Sequence, residues 1–362
     1  MRARLLSIDS APPFGGAASP GRAGLAFAVL AACGGGYPAP QPPAPKHRGI
    51  EDAALPYTVL DAKTGHQVDT SAFWEKLASE RAVCVGEEHK NPHHHWVELE
   101  VVRHLAKKWP HFALGLEMFQ RPFQGVLDDF ASKKIDEATL RSRSGWEDRW
   151  GFDFGFYGPT IAVAVDAHAA LLALNAAKEV THKVAMKGLE ALTPEERAQL
   201  PLEIVLTDKK HRAWFDALME DMGGGDVHSP HGAPPPGSGS GSGSGSAAPP
   251  AEPAMPSTDH IYAVQVIWDE TMADGAAKWL AANKDGHVVI LAGSGHCHDS
   301  GIIGRLKRRG ITDVVSVRSV IDDGQGGVAE ELAKPITDFL VVLDLPEDVK
   351  KQMAEHKDDK AD

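Results

Sequence analysis

The chain has 362 residues, of which 43% are hydrophobic, enough for one large domain with appendages. It carries 50 acidic and 37 basic residues, which gives a formal net charge of -13. A surface with this excess of negative charge repels phosphate backbones, which argues against nucleic acid as a partner. Three cysteines, Cys33, Cys84 and Cys297, are too few for a disulfide framework.

The first 33 residues predict a secretory signal peptide. Arg22 precedes the apolar stretch GLAFAVLAAC (24–33), which contains small residues and is too short to span a bilayer. Its ending, Leu30–Cys33, is similar to a bacterial lipobox and predicts lipidation of Cys33. Several acyl chains would anchor the protein stably, here to the outer membrane on its periplasmic or surface side. An N-terminus that is merely rich in alanine and glycine is the alternative.

Three further segments have compositions that do not favour a packed core. Residues 34–50 are rich in glycine and proline and predict a tether. Residues 223–257 contain a Gly/Ser run that cannot bury apolar surface, so they predict a disordered insertion. Residues 345–362 form a charged tail. The insertion interrupts one predicted domain, residues 51–344, because the same pattern of elements continues on both of its sides.

Strands and helices alternate along this domain. Before the insertion, the predicted elements are a strand at 82–85, a helix from Asn91–Pro92, a strand at 112–119, a helical region to about residue 142, a helix from Pro159, a strand at 171–175 and a helix capped by Thr193–Glu196. After it come a helix at 260–283, a strand at 287–293, a helix at 302–309 and strands at 313–317 and 339–343. The alternation predicts an α/β fold: a mixed, centrally parallel sheet covered by helices on both faces.

Polar side chains follow the ends of these strands, where ligands bind in such sheets. Two strand ends share the pattern Gly-x-x-His, at Gly86–His89 and Gly293–His296, and Glu88 and Glu117 lie at the ends of neighbouring strands. Glycine lets the chain leave a strand at an angle that other residues disfavour, so the histidine can point back over the rim. Glu117 has a second interpretation, as a buried carboxylate that holds loop backbone in place.

Three histidines, His93 to His95, open the helix after the first strand. Successive helical residues point about 100° apart, so at most one or two of them face the rim. Solvent-exposed histidines on a first helical turn are the favoured interpretation. The positive end of the helix dipole disfavours their protonation.

Residues 144–159 concentrate aromatic side chains in a chain that has only 7% of them. The stretch reads SGWEDRWGFDFGFYGP and contains turn residues, so it is predicted to be partly loop. Aromatic side chains on a loop favour a flat apolar ligand or a partner surface. A loop that folds its own aromatic residues into the core is the alternative.

An ordered series of motifs resembles the ChaN family of haem-binding lipoproteins, within the Tiki/TraB/erythromycin-esterase-like superfamily. The motifs are GEEH, GLEMF, WGFDFGFY, ALNA, LTPEER, QVIWDETMA and VVILAGSGH. The resemblance runs from about residue 55 to 320, interrupted by the insertion. It implies haem binding linked to iron uptake at the outer membrane, with a homodimer around the haem and an outer-membrane receptor as further partners.

The resemblance also implies that a tyrosine can ligate the haem iron. Of the four tyrosines, Tyr157 lies inside a matching motif and is the predicted ligand. Arg149 would pair with a propionate. The apolar walls would come from Trp146, Trp150, Phe154 and Phe156.

The same superfamily implies an alternative, a metal-dependent hydrolase of peptide or ester bonds. His89 and His296, with Glu88 or Glu117, would bind Zn, Mn or Co, and the remaining glutamate would be the general base. Cys297 and His298 are additional candidates outside the family pattern, and Cys297, read as unpaired, could equally be inert. A protein that has this fold and another use is the third possibility.

Overall fold

The computed structural model describes residues 49–221 and 256–358. The predicted signal peptide (1–33), with Cys33, therefore lies outside the described residues. Of the predicted tether (34–50) and of the predicted insertion (223–257), only the last two residues are described.

Within the described residues, eight strands form one sheet in the spatial order β2-β1-β8-β7-β3-β6-β4-β5. The strands are β1 (Tyr57–Asp61), β2 (Gln67–Val68), β3 (Ala82–Glu87), β4 (Phe112–Gln120), β5 (Ala170–Asn175), β6 (His287–Gly293), β7 (Val314–Asp322) and β8 (Phe339–Asp344). From β8 to β5 every neighbouring pair is parallel, whereas β1 is antiparallel to β8 and β2. The predicted mixed, centrally parallel sheet is confirmed.

The helices of the described residues connect these strands. They are α1 (Thr70–Ser79), α2 (Pro92–Ala106), α3 (Gln124–Ala131), α4 (Glu137–Ser144), α5 (Trp146–Arg149), α6 (Gly158–Asp166), α7 (Lys178–Lys187), α8 (Pro194–Arg197), α9 (Lys209–Asp221), α10 (Thr258–Ala282), α11 (Ile302–Arg308), α12 (Gly327–Ala333) and α13 (Glu347–Asp358). None of them combines the length and the apolarity that crossing a membrane requires.

Helices cover both faces of the sheet because side chains alternate along its buried strands. On β3, Val83 and Val85 pack with α1, α2 and α6, while Cys84 faces α10 and α11. The predicted caps are also present. Asn91 accepts a hydrogen bond from the His93 N–H at 3.1 Å, and Thr193 and Glu196 form the capping box.

A disulfide joins Cys84 in β3 to Cys297 in the loop after β6. The interpretation of Cys297 as unpaired is therefore wrong. The two cysteines are 213 residues apart, and they meet because β3 and β6 are adjacent parallel strands. Sequence spacing alone could not predict this pairing, because it depends on the strand order of the sheet.

Thiol counting tests this pairing. In the full chain with Cys33→Ser, we expect no free thiol after denaturation without reductant and two after reduction. Reduction should also destabilise the fold by about 2–5 kcal/mol, since the bond closes a long loop. Two free thiols in the unreduced, denatured chain would contradict the pairing.

Candidate functional site

Three adjacent strands, β3, β6 and β4, end at one rim of the sheet and bring the predicted motifs together. Glu87 at the end of β3 is in register with Gly293 at the end of β6. Glu117 in β4 reaches across to β6, where its Oε2 accepts a hydrogen bond from the Gly293 N–H at 2.6 Å. The rim is thus closed by contacts between side chains and backbone from all three strands.

A cluster of five buried or nearly buried side chains surrounds the end of β3. This Glu87 cluster comprises Glu87, His89, His95, Glu98 and Tyr157. Glu87 Oε1 lies 2.7 Å from His89 Nδ1 and accepts the Tyr157 hydroxyl at 3.0 Å. Its Oε2 lies 2.7 Å from His95 Nδ1, which is also 2.9 Å from Glu98 Oε2. One imidazole nitrogen therefore faces two carboxylates.

Burial and opposite charges pull the pKa values of this cluster in different directions. Burial opposes ionisation of Glu87, but His95 and His89 hold its pKa at about 2. Burial and the negative charge of Glu87 raise the pKa of Glu98 to about 8. Burial disfavours the charged form of His95, yet Glu87 and Glu98 raise its pKa to about 10. The cluster therefore retains bound protons at neutral pH.

The histidine run is more buried than predicted. His94 is 2% exposed and His95 is fully buried, so the interpretation of the run as solvent-exposed is wrong for these two. His94 Nδ1 accepts the Glu88 N–H at 3.1 Å, and burial lowers the pKa of His94 to about 4. His93 Nδ1 contacts the carbonyl oxygen of Ala53 at 2.7 Å. His93 thus contacts the segment Ile50–Ala53, whereas His95 packs against Glu87 and Phe156.

A second buried network begins on the other side of the rim. This His296 network comprises Glu117, His296, Asp269, His211 and Arg305. His296 lies between two carboxylates, with Nε2 3.1 Å from Glu117 Oε1 and Nδ1 2.6 Å from Asp269 Oδ1. Asp269 Oδ2 in turn lies 3.1 Å from His211 Nε2 and 3.2 Å from an Arg305 nitrogen.

Arginines neutralise the acidic residues of this side. Burial opposes ionisation of Asp269, but Arg305, His211 and His296 hold its pKa far below the usual range. Glu270, the next residue on α10, contacts Arg305, Arg308 and Arg309. Burial works against a charged His296, while Glu117 and Asp269 raise its pKa to about 10. His296 is therefore an imidazolium with a carboxylate at each of its ring nitrogens.

Gly293 is the point where the two networks meet. A Cβ at this position would lie 3.1 Å from His89 Cε1 and 3.7 Å from Glu117 Oε2. The absence of a side chain therefore makes room for His89 beside Glu117. The second Gly-x-x-His motif uses its glycine for close packing, since the backbone of Gly293 does not need a positive φ.

The predicted metal set is brought together only in part. His89, Glu117 and His296 lie at the rim, but Glu88 is exposed, and Asn91 Nδ2 donates to its carboxylate at 3.4 Å. Glu87 occupies the buried position instead. Glu117 holds loop backbone, as its second interpretation stated. Both nitrogens of His296 face carboxylates, so neither presents a lone pair to a metal in this arrangement.

The aromatic stretch folds largely into the core. Trp146, Phe154 and Tyr157 are at most 3% exposed, and the Trp150 ring packs against His89 at 4.8 Å. Phe156 stacks on His95 at 4.8 Å. The alternative interpretation, a loop that packs its own aromatic residues, therefore describes most of this segment.

The predicted propionate partner, Arg149, has ion-pair and hydrogen-bond partners within the chain. It donates to Glu179 at 2.6 Å and to Gln120 at 2.7 Å. Its guanidinium also lies 4.7 Å from the centre of the Phe123 ring. A propionate would have to compete with these contacts.

A second buried tyrosine, Tyr262, lies near the start of α10 and is not among the site residues predicted from the sequence. Its hydroxyl is 3.2 Å from His211 Nδ1 and 3.4 Å from the Asp208 carbonyl. The Arg212 guanidinium lies 5.0 Å from the centre of its ring. The only signal in the sequence was its place directly after the insertion and before the QVIWDETMA motif.

Replacement of Asp269 tests the His296 network. Asp269→Asn should lower the free energy of unfolding by about 3 kcal/mol, because it removes one of the two carboxylates that compensate the buried positive charges of Arg305 and of His296. Asp259→Asn on the same helix is the matched control, since Asp259 is largely exposed and pairs with Arg212, so the loss should stay below about 1 kcal/mol. Denaturant unfolding measures both. Equal losses would contradict a special role for the buried carboxylate.

Comparison with known proteins identifies the family and the fold. A family model described as haem-binding uptake, Tiki superfamily, ChaN, matches residues 73–306. The structure of Campylobacter jejuni ChaN, solved for its cofacial haem binding, is similar at 15% identity, covering 79% of this chain and 96% of that one with a TM-score of 0.57.

An erythromycin esterase in its open conformation is a weaker likeness, with 11% identity, 80% of this chain and 83% of that one covered, and a TM-score of 0.39. A search of curated protein sequences finds no significant match. The family match spans well over half of the chain. The chain therefore belongs to the ChaN family of the Tiki superfamily.

Proposed function

We propose that this protein binds haem. The observation that carries the proposal is the match to a haem-binding family over residues 73–306, which include the rim and both tyrosine-bearing regions. Haem needs an apolar surface for its ring and, for ferric iron, a ligand such as tyrosinate. The residues of this chain differ in how well they meet these needs.

Tyr157, the tyrosine predicted from the sequence, does not fit this role in the position described here. It has no exposed surface, and its hydroxyl donates to Glu87 at 3.0 Å. Burial and the negative charges of Glu87 and Glu98 raise the pKa of Tyr157 well above its usual range. An iron ligand must be a phenolate, which two neighbouring carboxylates oppose. Ligation by Tyr157 stays a prediction that requires this segment to open.

The pKa of Tyr262 is raised, as that of Tyr157 is, but positive charges as well as negative ones act on it. Burial raises the pKa of Tyr262, and Asp208 and Asp269 add to this, whereas the positive charges of Arg305 and Arg212 lower it. The hydroxyl contacts are long, at 3.2 and 3.4 Å. We propose Tyr262 as the iron ligand because, unlike Tyr157, it has arginines nearby that favour a phenolate. Tyr262 is itself 3% exposed, so haem would have to displace the side chains packed around it.

Exposed apolar side chains lie on two segments that pack against the start of α10. Of the four large hydrophobic side chains that are most exposed among the described residues, three are in this region: Met186, Leu202 and Leu206, with Leu202 98% exposed. Met186 lies on α7 and the leucines lie on residues 201–207, and both segments pack against the first turns of α10. An exposed apolar surface of this kind suits one face of a haem ring or a second subunit.

The cell envelope is the proposed location. The buried Cys84–Cys297 disulfide is typical of proteins that fold in an oxidising compartment, which supports export. We propose that Cys33 carries the lipid anchor, that the anchored protein passes haem to or from an outer-membrane receptor in iron uptake, and that two copies enclose the haem. The metal-dependent hydrolase remains the alternative prediction.

Hemin titration of the full chain tests this proposal. We expect saturable Soret and ferric–tyrosinate charge-transfer bands, and a change from monomer to dimer mass in light scattering. Tyr262→Phe should abolish the charge-transfer band and weaken binding at least about tenfold, because it removes the iron ligand. Tyr157→Phe should keep the band and cost about 1 kcal/mol of stability, because it removes only the hydrogen bond to Glu87.

Each variant serves as the control for the other, since both remove one buried hydroxyl. Loss of the charge-transfer band in Tyr157→Phe alone would show that Tyr157, the tyrosine predicted from the sequence, is the iron ligand. No saturable change in the wild-type chain would reject haem binding. Bound metal lost in His89→Ala and His296→Ala would then favour the hydrolase.

A further inference from the structure

Two pairs of buried carboxylates near the rim, Asp269 with Glu270 and Glu87 with Glu98, have different positively charged partners. Asp269 and Glu270 contact Arg305, Arg308 and Arg309. Among the described residues, the ion pairs of Glu87 and Glu98 are formed with histidines only. Both carboxylates are at most 2% exposed, and buried carboxylates without a full counter-charge are costly. The Glu87 cluster therefore lacks a permanent positive charge.

The atoms of this cluster converge on one point. His95 and Glu98 are three residues apart on α2, which puts both on one face of the helix. Glu87 reaches the same point from the end of β3. One ligand atom from each of Glu87, His95 and Glu98 lies within 4.8 Å of the others. This differs from His296, whose two carboxylates face opposite nitrogens of the ring.

The contacts of His95 require either a proton or a metal ion between these atoms. Its Nε2 faces the His89 carbonyl oxygen at 3.3 Å and can donate a proton to it. The Nδ1 lone pair then faces two carboxylate oxygens at 2.7 and 2.9 Å, which is repulsive unless a proton or a metal ion lies between them. Metal-bound histidines in proteins commonly donate their other ring N–H to a carbonyl in this way.

The remaining contacts orient the carboxylates toward the same point. His89 and Tyr157 both contact Glu87 Oε1, which leaves Oε2 to face His95. Glu98 Oε1 is buried without a hydrogen-bond partner within the described residues, so this carboxylate has unused ligand capacity. A doubly charged ion would balance two carboxylates and one neutral imidazole.

We propose that Glu87, His95 and Glu98 bind a divalent first-row transition-metal ion. Two carboxylates and one imidazole, with no thiolate, suit Zn²⁺, Mn²⁺ or Fe²⁺. This site is distinct from the haem surface beside Tyr262 and from the predicted set of His89, His296, Glu88 and Glu117. Its role would be to fix the end of β3 and the start of α2 at the rim.

The test uses the full chain in its haem-free form. After treatment with EDTA and dialysis against Zn²⁺ or Mn²⁺, we expect about one retained ion per chain by mass spectrometry, with a melting temperature about 5 °C above that of the EDTA-treated protein. Glu98→Gln should lose the retained ion and the thermal shift. Glu100→Gln, on the same helix and paired with Arg103, is the control and should keep both.

Metal-free Glu98→Gln adds a readout that a purely structural carboxylate would not give. Because glutamine has nearly the shape of glutamate and removes the repulsion between Glu87 and Glu98, the metal-free variant should melt no lower than the metal-free wild type. A wild-type chain that retains no ion and shows no thermal shift would overturn the proposal, whether or not the variant folds. Equal retention by Glu98→Gln would overturn it as well.

Discussion

The hydrogen bond from the Gly293 N–H to Glu117 is the contact on which the rim of the sheet depends. At 2.6 Å it ties the end of β6 to β4, and the same residue is in register with Glu87 at the end of β3. The missing side chain of Gly293 leaves the space that His89 fills. One backbone position therefore brings three strand ends and both histidine motifs together.

From this point two networks of opposite character extend into the protein. On the side of α10 and α11, arginines compensate the acidic residues, and His296 is held as an imidazolium between carboxylates. On the side of α2, the side-chain partners of two buried glutamates within the described part of the chain are histidines and a tyrosine. Because arginine carries a permanent positive charge, the charges of the first network are balanced by its own residues. The second network needs bound protons or, as proposed, a metal ion.

Much of the fold could be predicted from local signals. Apolar runs bounded by glycine or proline predicted the central strands. Asn91 and the Thr193–Glu196 capping box predicted the starts of two helices, because capping signals act within a few residues. The identity of the buried glutamate could not be predicted, since β3 continues two residues further than expected, to Glu87, and a shift of one position exchanges Glu87 for Glu88. The disulfide and the surroundings of Tyr262 depend on strand order and on distant arginines, which carry no local signal.

In the proposed haem site the ligand contacts α7, the start of α10 and residues 201–207, and the Tyr262 hydroxyl connects this surface to the buried rim through His211. An anomalous difference map at the iron edge, from crystals of the full chain loaded with hemin, tests this assignment most directly. The account predicts an iron peak beside the Tyr262 hydroxyl and the exposed side chains of Met186, Leu202 and Leu206. An iron peak beside Tyr157, with the aromatic stretch opened around it, would contradict the account.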